Sequence, residues 1–455
     1  MAKAAAPAAA IHRGAWRNRW TFVLATAGSA IGLGNIWKFP YMTGMNGGSA
    51  FVLVYLLCIA LVGIPLMMCE IMLGRRAQRN PVDGMAYLAH EAGQSRQWRW
   101  VGISGVLAGI LILGFYSVIA GWVLDYMVRA ASGAFQGMDG ASAKLQFEIF
   151  LTKPLNLILW HTLFLGVTLA VASRGLNAGL EKANLIMMPA LFAIVLLMVG
   201  YSMAVGNFTA SARFMFSPNF SLITPTAVLS ALGHAFFTLS IGMGAVMAYG
   251  SYLGRHISIA RTTLYIALAD TAIGLLAGLA IFSLVFANGL TPTAGPGLIF
   301  QTLPIAFGAM PGGDFMGMLF FILVAFAAWT SALSLVEPAI AWITENSSIT
   351  RKEATGLIGL IDWLLGVAVA LSFNLWADFK PFAGLNLFSL LDKLTTHVLL
   401  PLGGLAMAIF AGWVMKTAHV ADELGLKPRF YPLWRFAIRY ISPLAIILIF
   451  AYPLT

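Results

Sequence analysis

One apolar segment of this chain cannot be a plain helix, and that constrains the fold more than anything else in the sequence. Residues 28–40 read GSAIGLGNIWKFP: Gly28, Gly32 and Gly34 fall within a stretch otherwise suited to crossing a membrane, and Pro40 closes it. In a helix interior Gly is about 1 kcal/mol and Pro about 3 kcal/mol less favourable than Ala. In hydrocarbon an unpaired backbone N–H or C=O costs several kcal/mol, so opened backbone survives at membrane depth only where it lines a cavity. There the freed carbonyls can hold a cation, and the N–H groups at the half-helix ends can hold a carboxylate. Close helix packing through small residues is the competing reading of Gly28 and Gly32 taken alone.

Composition places the segment in a membrane. Of 455 residues 60% are apolar and 10% charged, against roughly 25% charged in soluble domains. Apolar runs of about 18 residues or more mark candidate spans. Eleven are expected, near 20–40, 49–73, 100–130, 155–173, 183–203, 225–252, 262–288, 314–344, 354–373, 385–415 and 437–453. Several exceed about 25 residues, which implies tilt, a break or extension beyond the bilayer. With residues 1–19 as a cytoplasmic tail, 20 of the 27 Lys and Arg fall on inner segments. This matches the excess of basic residues on cytoplasmic loops and sets the C-terminus outside. The net charge of +10 therefore reports topology in a cell membrane, not a nucleic-acid surface. No cleavable signal peptide is expected in the Ala-rich, basic N-terminus. Cys58 and Cys69 imply neither a disulfide framework nor a metal site.

The opening motif has an echo. Residues 236–252 read FFTLSIGMGAVMAYGSY, and Ile241-Gly242-Met243-Gly244 repeats Ile31-Gly32-Leu33-Gly34. The echo falls in the sixth span, so each repeat holds five spans, 20–203 and 225–415, followed by an eleventh helix at 437–453. An odd number of spans inverts the second copy, and paired Gly-interrupted helices in two inverted halves mark the binding site of a secondary transporter. The expected class is an all-α polytopic membrane protein with a 5+5 inverted-topology repeat and broken helices 1 and 6.

Together with NGGSAF (46–51), GIPLMMCEIMLG (63–74), ALGHAFFTLSIGMGAVMAYGSY (231–252) and AAWTSALSLVEP (327–338), these motifs closely resemble the neurotransmitter:sodium symporter family, which has the LeuT fold. The chain is most similar to bacterial eleven-helix members that carry hydrophobic amino acids. The resemblance implies a first sodium site made by the Ala30 carbonyl, Asn35, Thr238 and Asp270. A second would use the carbonyls of Gly28, Ile31 and Ala327 with the hydroxyls of Thr330 and Ser331. Oxygen ligands suit a hard cation. Asp270 stands where many relatives have Asn. An Asp at a span centre costs about 2.5–3.5 kcal/mol on insertion scales and needs a partner; the seventh span has no Lys, and Arg261 lies at its start.

The same resemblance places the substrate carboxylate on the amides near Leu33 and Gly34, the Tyr116 hydroxyl and the first sodium. The amine would meet the carbonyls of Ala30, Phe237 and Thr238 and the Ser240 hydroxyl. Relatives that carry monoamines have Asp at the position of Gly32, so Gly here leaves room for a substrate bearing its own carboxylate. Ser29, Ile112, Phe237, Met243, Ser331 and Leu335 would line the side-chain pocket. Met243 replaces the Phe of relatives restricted to smaller aliphatic substrates, and Met adapts to rings and branched chains alike. The expected range is Leu, Ile, Val, Met, Phe, Tyr and Trp.

Gates follow by the same resemblance. Lys38 and Asp392 correspond to an outer ion pair, with Lys in place of the usual Arg. Arg13 and Glu345 correspond to an inner pair, with Trp16 packing the tail and Tyr252 nearby. Glu70 is expected to brace the unwound part of the sixth span, and Glu337 to give similar internal support. Gly179 and Pro189, in a Gly-x9-Pro pattern, are expected to let the fifth span unwind toward the second sodium site; an ordinary proline kink is the alternative. Animal relatives bind chloride with residues aligned to Tyr55, His234, Thr238, Asp270 and Gly274. The Ser and Gln of that set are missing here and Asp270 brings a negative charge, so chloride independence is expected.

The expected function is sodium-coupled symport of hydrophobic L-amino acids with two sodium ions. A proton-coupled transporter and a non-transporting amino-acid sensor of the same fold are the alternatives. A channel would need a ring of polar groups that the few scattered midplane acids do not supply. An enzyme would need a nucleophile or metal motif, and the sequence has none.

Overall fold

The computed structural model describes residues 15–217, 219–292 and 295–451. Among them nine helices are long and apolar enough to cross a membrane. Two further spans are interrupted, which completes the eleven read from the sequence.

The first interrupted span consists of α1 (Arg19–Ala30), a wider turn over Gly34–Lys38, and α2 (Phe39–Met45). Asn18 starts it, its side chain accepting from the backbone of Trp20 and Thr21 and so satisfying two of the first-turn N–H groups. Then follow α3 (Ser49–Ala77), α4 (Arg96–Ala131), α5 (Pro154–Ala172) and α6 (Leu176–Val205). The second interrupted span is α7 (Pro225–Thr238) and α8 (Ala245–Gly250). The chain continues through α9 (Ile259–Ala287), α10 (Gly313–Asn346), α11 (Arg351–Leu371), α12 (Leu387–Val414) and α13 (Tyr431–Phe450). Short connecting helices that the sequence reading did not separate lie at Pro81–Glu91, Gly140–Leu151, Phe208–Phe216, Thr302–Ala309 and Thr417–Leu424.

The packing explains why the outside is so apolar. On α5, Leu155, Leu159 and Leu163 are all exposed. At i, i+4 spacing they form one outward stripe, which only hydrocarbon can solvate without penalty. The interior is apolar as well, with a minority of buried polar residues, among them Asn35, Glu70, Asp270 and Thr330, set within it. The half-helix α1 is held among α6, α9 and α10, and α3 runs along both α7 and α8. Both breaks therefore lie inside the protein, as backbone without helical partners requires.

Candidate functional site

Each break is built by specific hydrogen bonds. After α1, the Gly32 N–H donates to Asn35 Oδ1 at 3.0 Å and the Leu33 N–H reaches the Tyr116 hydroxyl at 3.4 Å. A Cβ on Gly32 would stand 2.4 Å from Ser331 Oγ and 3.1 Å from the Tyr116 hydroxyl, so any side chain there would fill the space between them. In the second break Ser240, Gly242 and Gly244 all have positive φ, at 54°, 91° and 74°. The Ser240 hydroxyl donates to the Ser29 carbonyl at 2.8 Å, joining the two breaks. Gly242 N–H donates to Glu70 Oε1 at 2.5 Å. Glu70 is buried on α3 and ties the unwound backbone to its neighbour, as expected of a brace.

The two breaks enclose one cavity. It is lined by Ser29, Ala30, Gly32, Leu33, Gly34, Ile112, Tyr116, Phe237, Ser240, Met243, Ser331 and Leu335. All twelve were expected from the sequence. The lining includes the Leu33 and Gly34 backbone with the Tyr116 hydroxyl, which Leu33 N–H approaches at 3.4 Å, and the apolar side chains of Ile112, Met243 and Leu335. Thr238, also expected here, turns its hydroxyl instead to Asp270 Oδ1 at 3.0 Å.

That carboxylate organises a second cluster. Asp270 Oδ1 also accepts from Asn35 Nδ2 at 2.8 Å, and its Oδ2 accepts from the Tyr55 hydroxyl at 3.3 Å. Asp270 is completely buried, and among the described residues no Lys, Arg or His lies within ion-pair distance of it. A buried charge is tolerated when it is paired or binds a metal. Asn35, Thr238 and Asp270 thus bring side-chain oxygens together around one buried carboxylate, the kind of group that could take a metal cation as its partner. His234 lies behind it among the rings of Phe39, Phe51 and Tyr55, with centroid separations of 5.9, 6.5 and 5.3 Å.

A third cluster joins α1 to α10. Ser331 Oγ lies 3.3, 3.1 and 3.3 Å from the carbonyl oxygens of Gly28, Ser29 and Ile31. Thr330 Oγ1 lies 3.0 Å from the Ala327 carbonyl and 3.4 Å from that of Ile31. One hydroxyl proton can serve only one of several acceptors. The surplus of lone pairs makes an oxygen cage suited to a hard cation. All five residues expected at this site converge here.

The expected gates behave less uniformly. Lys38 and Asp392 border a common cavity beyond Phe237, but no ion pair joins them. Lys38 Nζ lies instead 4.4 Å from the centre of the Phe237 ring, and Asp392 Oδ1 accepts from Thr396 at 3.1 Å. An ammonium over an aromatic face is attracted by the ring quadrupole, so Lys38 here caps Phe237 and not the carboxylate.

At the opposite end Trp16 is buried, its indole N–H donating to the Tyr249 carbonyl at 3.0 Å and its ring edge meeting Phe22 and Tyr249. Arg13 lies outside the described residues. Its expected partner Glu345 accepts from the backbone and side chain of Asn80, at 3.1 and 2.7 Å. Tyr252 donates to Glu337 Oε1 at 3.1 Å, and Arg351 clamps the same carboxylate with two nitrogens.

Gly179 and Pro189 lie in a wound fifth span in this conformation. The segment is helical throughout, with Gly179 in a wide turn over Leu176–Glu181 and Pro189 inside the helix that follows. A Cβ on Gly179 would stand 2.3 Å from the Val171 carbonyl oxygen, so close approach to the end of α5 accounts for this glycine in the conformation seen.

Sequence reasoning missed Arg75. It donates to Glu423 Oε1 and to the Ile257 carbonyl, both at 2.5 Å, and to the Glu423 carbonyl. It thus fastens α3 to the connecting helix Thr417–Leu424. Its one sequence signal was a pair of arginines ending an apolar run.

Comparison with known proteins accords with this geometry. Residues 13–136 and 144–455 match the family model described as the sodium:neurotransmitter symporter family. An uncharacterised sodium-dependent transporter of Bacillus subtilis, YhdH, is 38% identical over 439 residues, covering 96% of each chain. A sodium-dependent transporter of Haemophilus influenzae is 32% identical over 446 residues, covering 96% of this chain and 97% of that one. The crystal structure of MhsT in complex with L-phenylalanine superposes with a TM-score of 0.89 at 40% identity, covering 96% of this chain and 99% of MhsT. With the paired helix breaks and the oxygen clusters between them, these similarities show that the chain is a multi-pass membrane transporter with the LeuT fold, a sodium-dependent member of the sodium:neurotransmitter symporter family.

Proposed function

We propose that the protein is a symporter of hydrophobic L-amino acids, aliphatic and aromatic, driven by two sodium ions and independent of chloride. The observation that carries the reading is the lining of the central cavity: backbone amides and the Tyr116 hydroxyl together with the apolar side chains of Ile112, Met243 and Leu335, and no charged residue. A substrate carboxylate placed on the Leu33 and Gly34 amides would border the Asn35, Thr238 and Asp270 oxygens, so substrate and first sodium would stabilise each other. The second sodium would occupy the cage of Gly28, Ile31, Ala327, Thr330 and Ser331 and join α1 to α10. The L-phenylalanine bound in MhsT supports the substrate class.

On this reading the Trp16 end faces the cytoplasm, where the basic loops lie, and Lys38 and Asp392 face outward. Alternating access would rock α1, α2, α3, α7, α8 and α9 against the remaining helices. Two sodium ions with a zwitterion carry net charge inward, and each charge gains roughly 2.3 kcal/mol per 100 mV.

The test is uptake of labelled leucine and tryptophan into proteoliposomes under an inward sodium gradient, then with potassium alone. Uptake of both with sodium only is the expected result; equal uptake in potassium would overturn it. Breadth is tested by Met243→Phe. Met243 is buried against the cavity, and overpacking costs about 1–3 kcal/mol. Tryptophan uptake should fall roughly tenfold or more while leucine uptake is largely kept. Equal loss of both substrates would argue that Met243 does not set the size limit.

A further inference from the structure

One buried polar atom beside the cage of Thr330 and Ser331 has no partner. Asn184 lies on α6 between Gly179 and Pro189 and is 1% exposed. Its Nδ2 donates to the Leu180 carbonyl at 2.8 Å. That bond fixes how the amide is turned, because the reversed orientation would set Oδ1 against a carbonyl oxygen. Oδ1 therefore faces α1, and no protein donor reaches it. A Cβ on Gly28 would stand 2.2 Å from this oxygen and 3.1 Å from Thr330 Cβ. The orphan oxygen thus fills the notch left by Gly28, next to two residues of the cage.

A buried acceptor without a partner costs about 1–3 kcal/mol. Its immediate neighbours offer nothing to offset that: a Cβ at Gly28 would also meet Met188 Sδ, at 3.2 Å, and a thioether has no proton to donate. What an amide oxygen in this position can take is a hard cation, for which neutral carbonyl oxygens are ordinary ligands. We infer that Asn184 Oδ1 is an additional oxygen ligand for the sodium ion of this cage, engaged as the ion moves from Thr330 and Ser331 toward α6. The inference rests on the sodium reading of the cage proposed above. It gives α6 a direct share in ion binding. It also gives the departing ion an oxygen to hold before it reaches water.

The experiment is sodium titration of labelled phenylalanine binding to the purified full-length protein, with potassium keeping ionic strength constant. Asn184→Leu keeps the branched shape and removes the oxygen. It should raise the half-saturating sodium concentration roughly tenfold, as loss of a supporting metal contact does, with phenylalanine affinity at saturating sodium unchanged. Asn184→Asp, which keeps an oxygen and adds charge, should lower the sodium requirement and slow uptake by holding the ion longer. A residue that merely packs would move substrate affinity and sodium dependence together. The inference is overturned if Asn184→Leu keeps the wild-type sodium requirement, or weakens phenylalanine binding equally at saturating sodium. If Asn184→Leu does not fold, Asn184→Asp decides alone, and an unchanged sodium requirement there overturns it. Thr330→Ala separates the two levels of the argument: if it leaves the sodium requirement unchanged, the cage itself has been misassigned, whatever Asn184 does.

Discussion

Asp270→Asn should leave the protein folded and abolish sodium-dependent uptake in chloride-free medium. The substitution is nearly isosteric, and an amide oxygen can still accept from Thr238, Asn35 or Tyr55. It removes the negative charge from a site proposed to hold a sodium ion next to a substrate carboxylate. Unit charges a few ångström apart interact by about 4 kcal/mol at an effective dielectric near 20. Loss of even most of that would weaken apparent sodium affinity on the order of a hundredfold. Adding Gly274→Ser should return activity in chloride and not in gluconate. A Cβ at Gly274 would make only ordinary van der Waals contacts, the nearest with Phe39 Cδ1 at 3.6 Å, Asn35 Nδ2 at 3.7 Å and Phe39 Cγ at 3.8 Å, so the backbone there accepts a side chain. Uptake measured in both anions decides. Wild-type behaviour of Asp270→Asn in gluconate would show that the charge is not needed and that chloride independence has another source.

Residues that must act through their backbone were legible in the sequence, because the chemistry leaves few substitutes. Gly32 and Gly242 recur at matching places in two halves, and that repetition identified the cavity before any distance was known. The cage oxygens were legible through resemblance, since a Thr-Ser pair in a membrane helix says little alone; most such hydroxyls bond back to their own helix. Features set by rotamers or by long-range pairing were not legible. The sequence placed Lys38 near Asp392, but whether an ammonium turns to a carboxylate or to the Phe237 ring depends on how the vestibule packs around it. Arg75 and Glu423 are 348 residues apart, and no local pattern links them. Asn184 passed unnoticed between a Gly and a Pro, although an amide inside a span always calls for a partner.

Gly242→Ala should be among the most damaging single methyl additions in this protein. Gly242 has φ +91°, and a Cβ there would stand 2.1 Å from the Leu400 carbonyl oxygen, part of the backbone of α12. Two costs add: roughly 1–2 kcal/mol for an L-residue in left-handed backbone, and about 1–3 kcal/mol for the shift that relieves the overlap. The population with a competent break should then fall on the order of thirtyfold or more. Substrate binding and uptake should fall with it, and so should thermal stability in detergent, because the Gly242 N–H must leave Glu70. Gly289→Ala separates the two costs. Gly289 has φ +64° with nothing within 4 Å of the added carbon, so it carries the backbone cost alone and should transport nearly as wild type. If Gly242→Ala binds phenylalanine as tightly as the unaltered protein, the break between α7 and α8 does not position the substrate. The α1–α2 break and Tyr116 would then have to account for recognition by themselves.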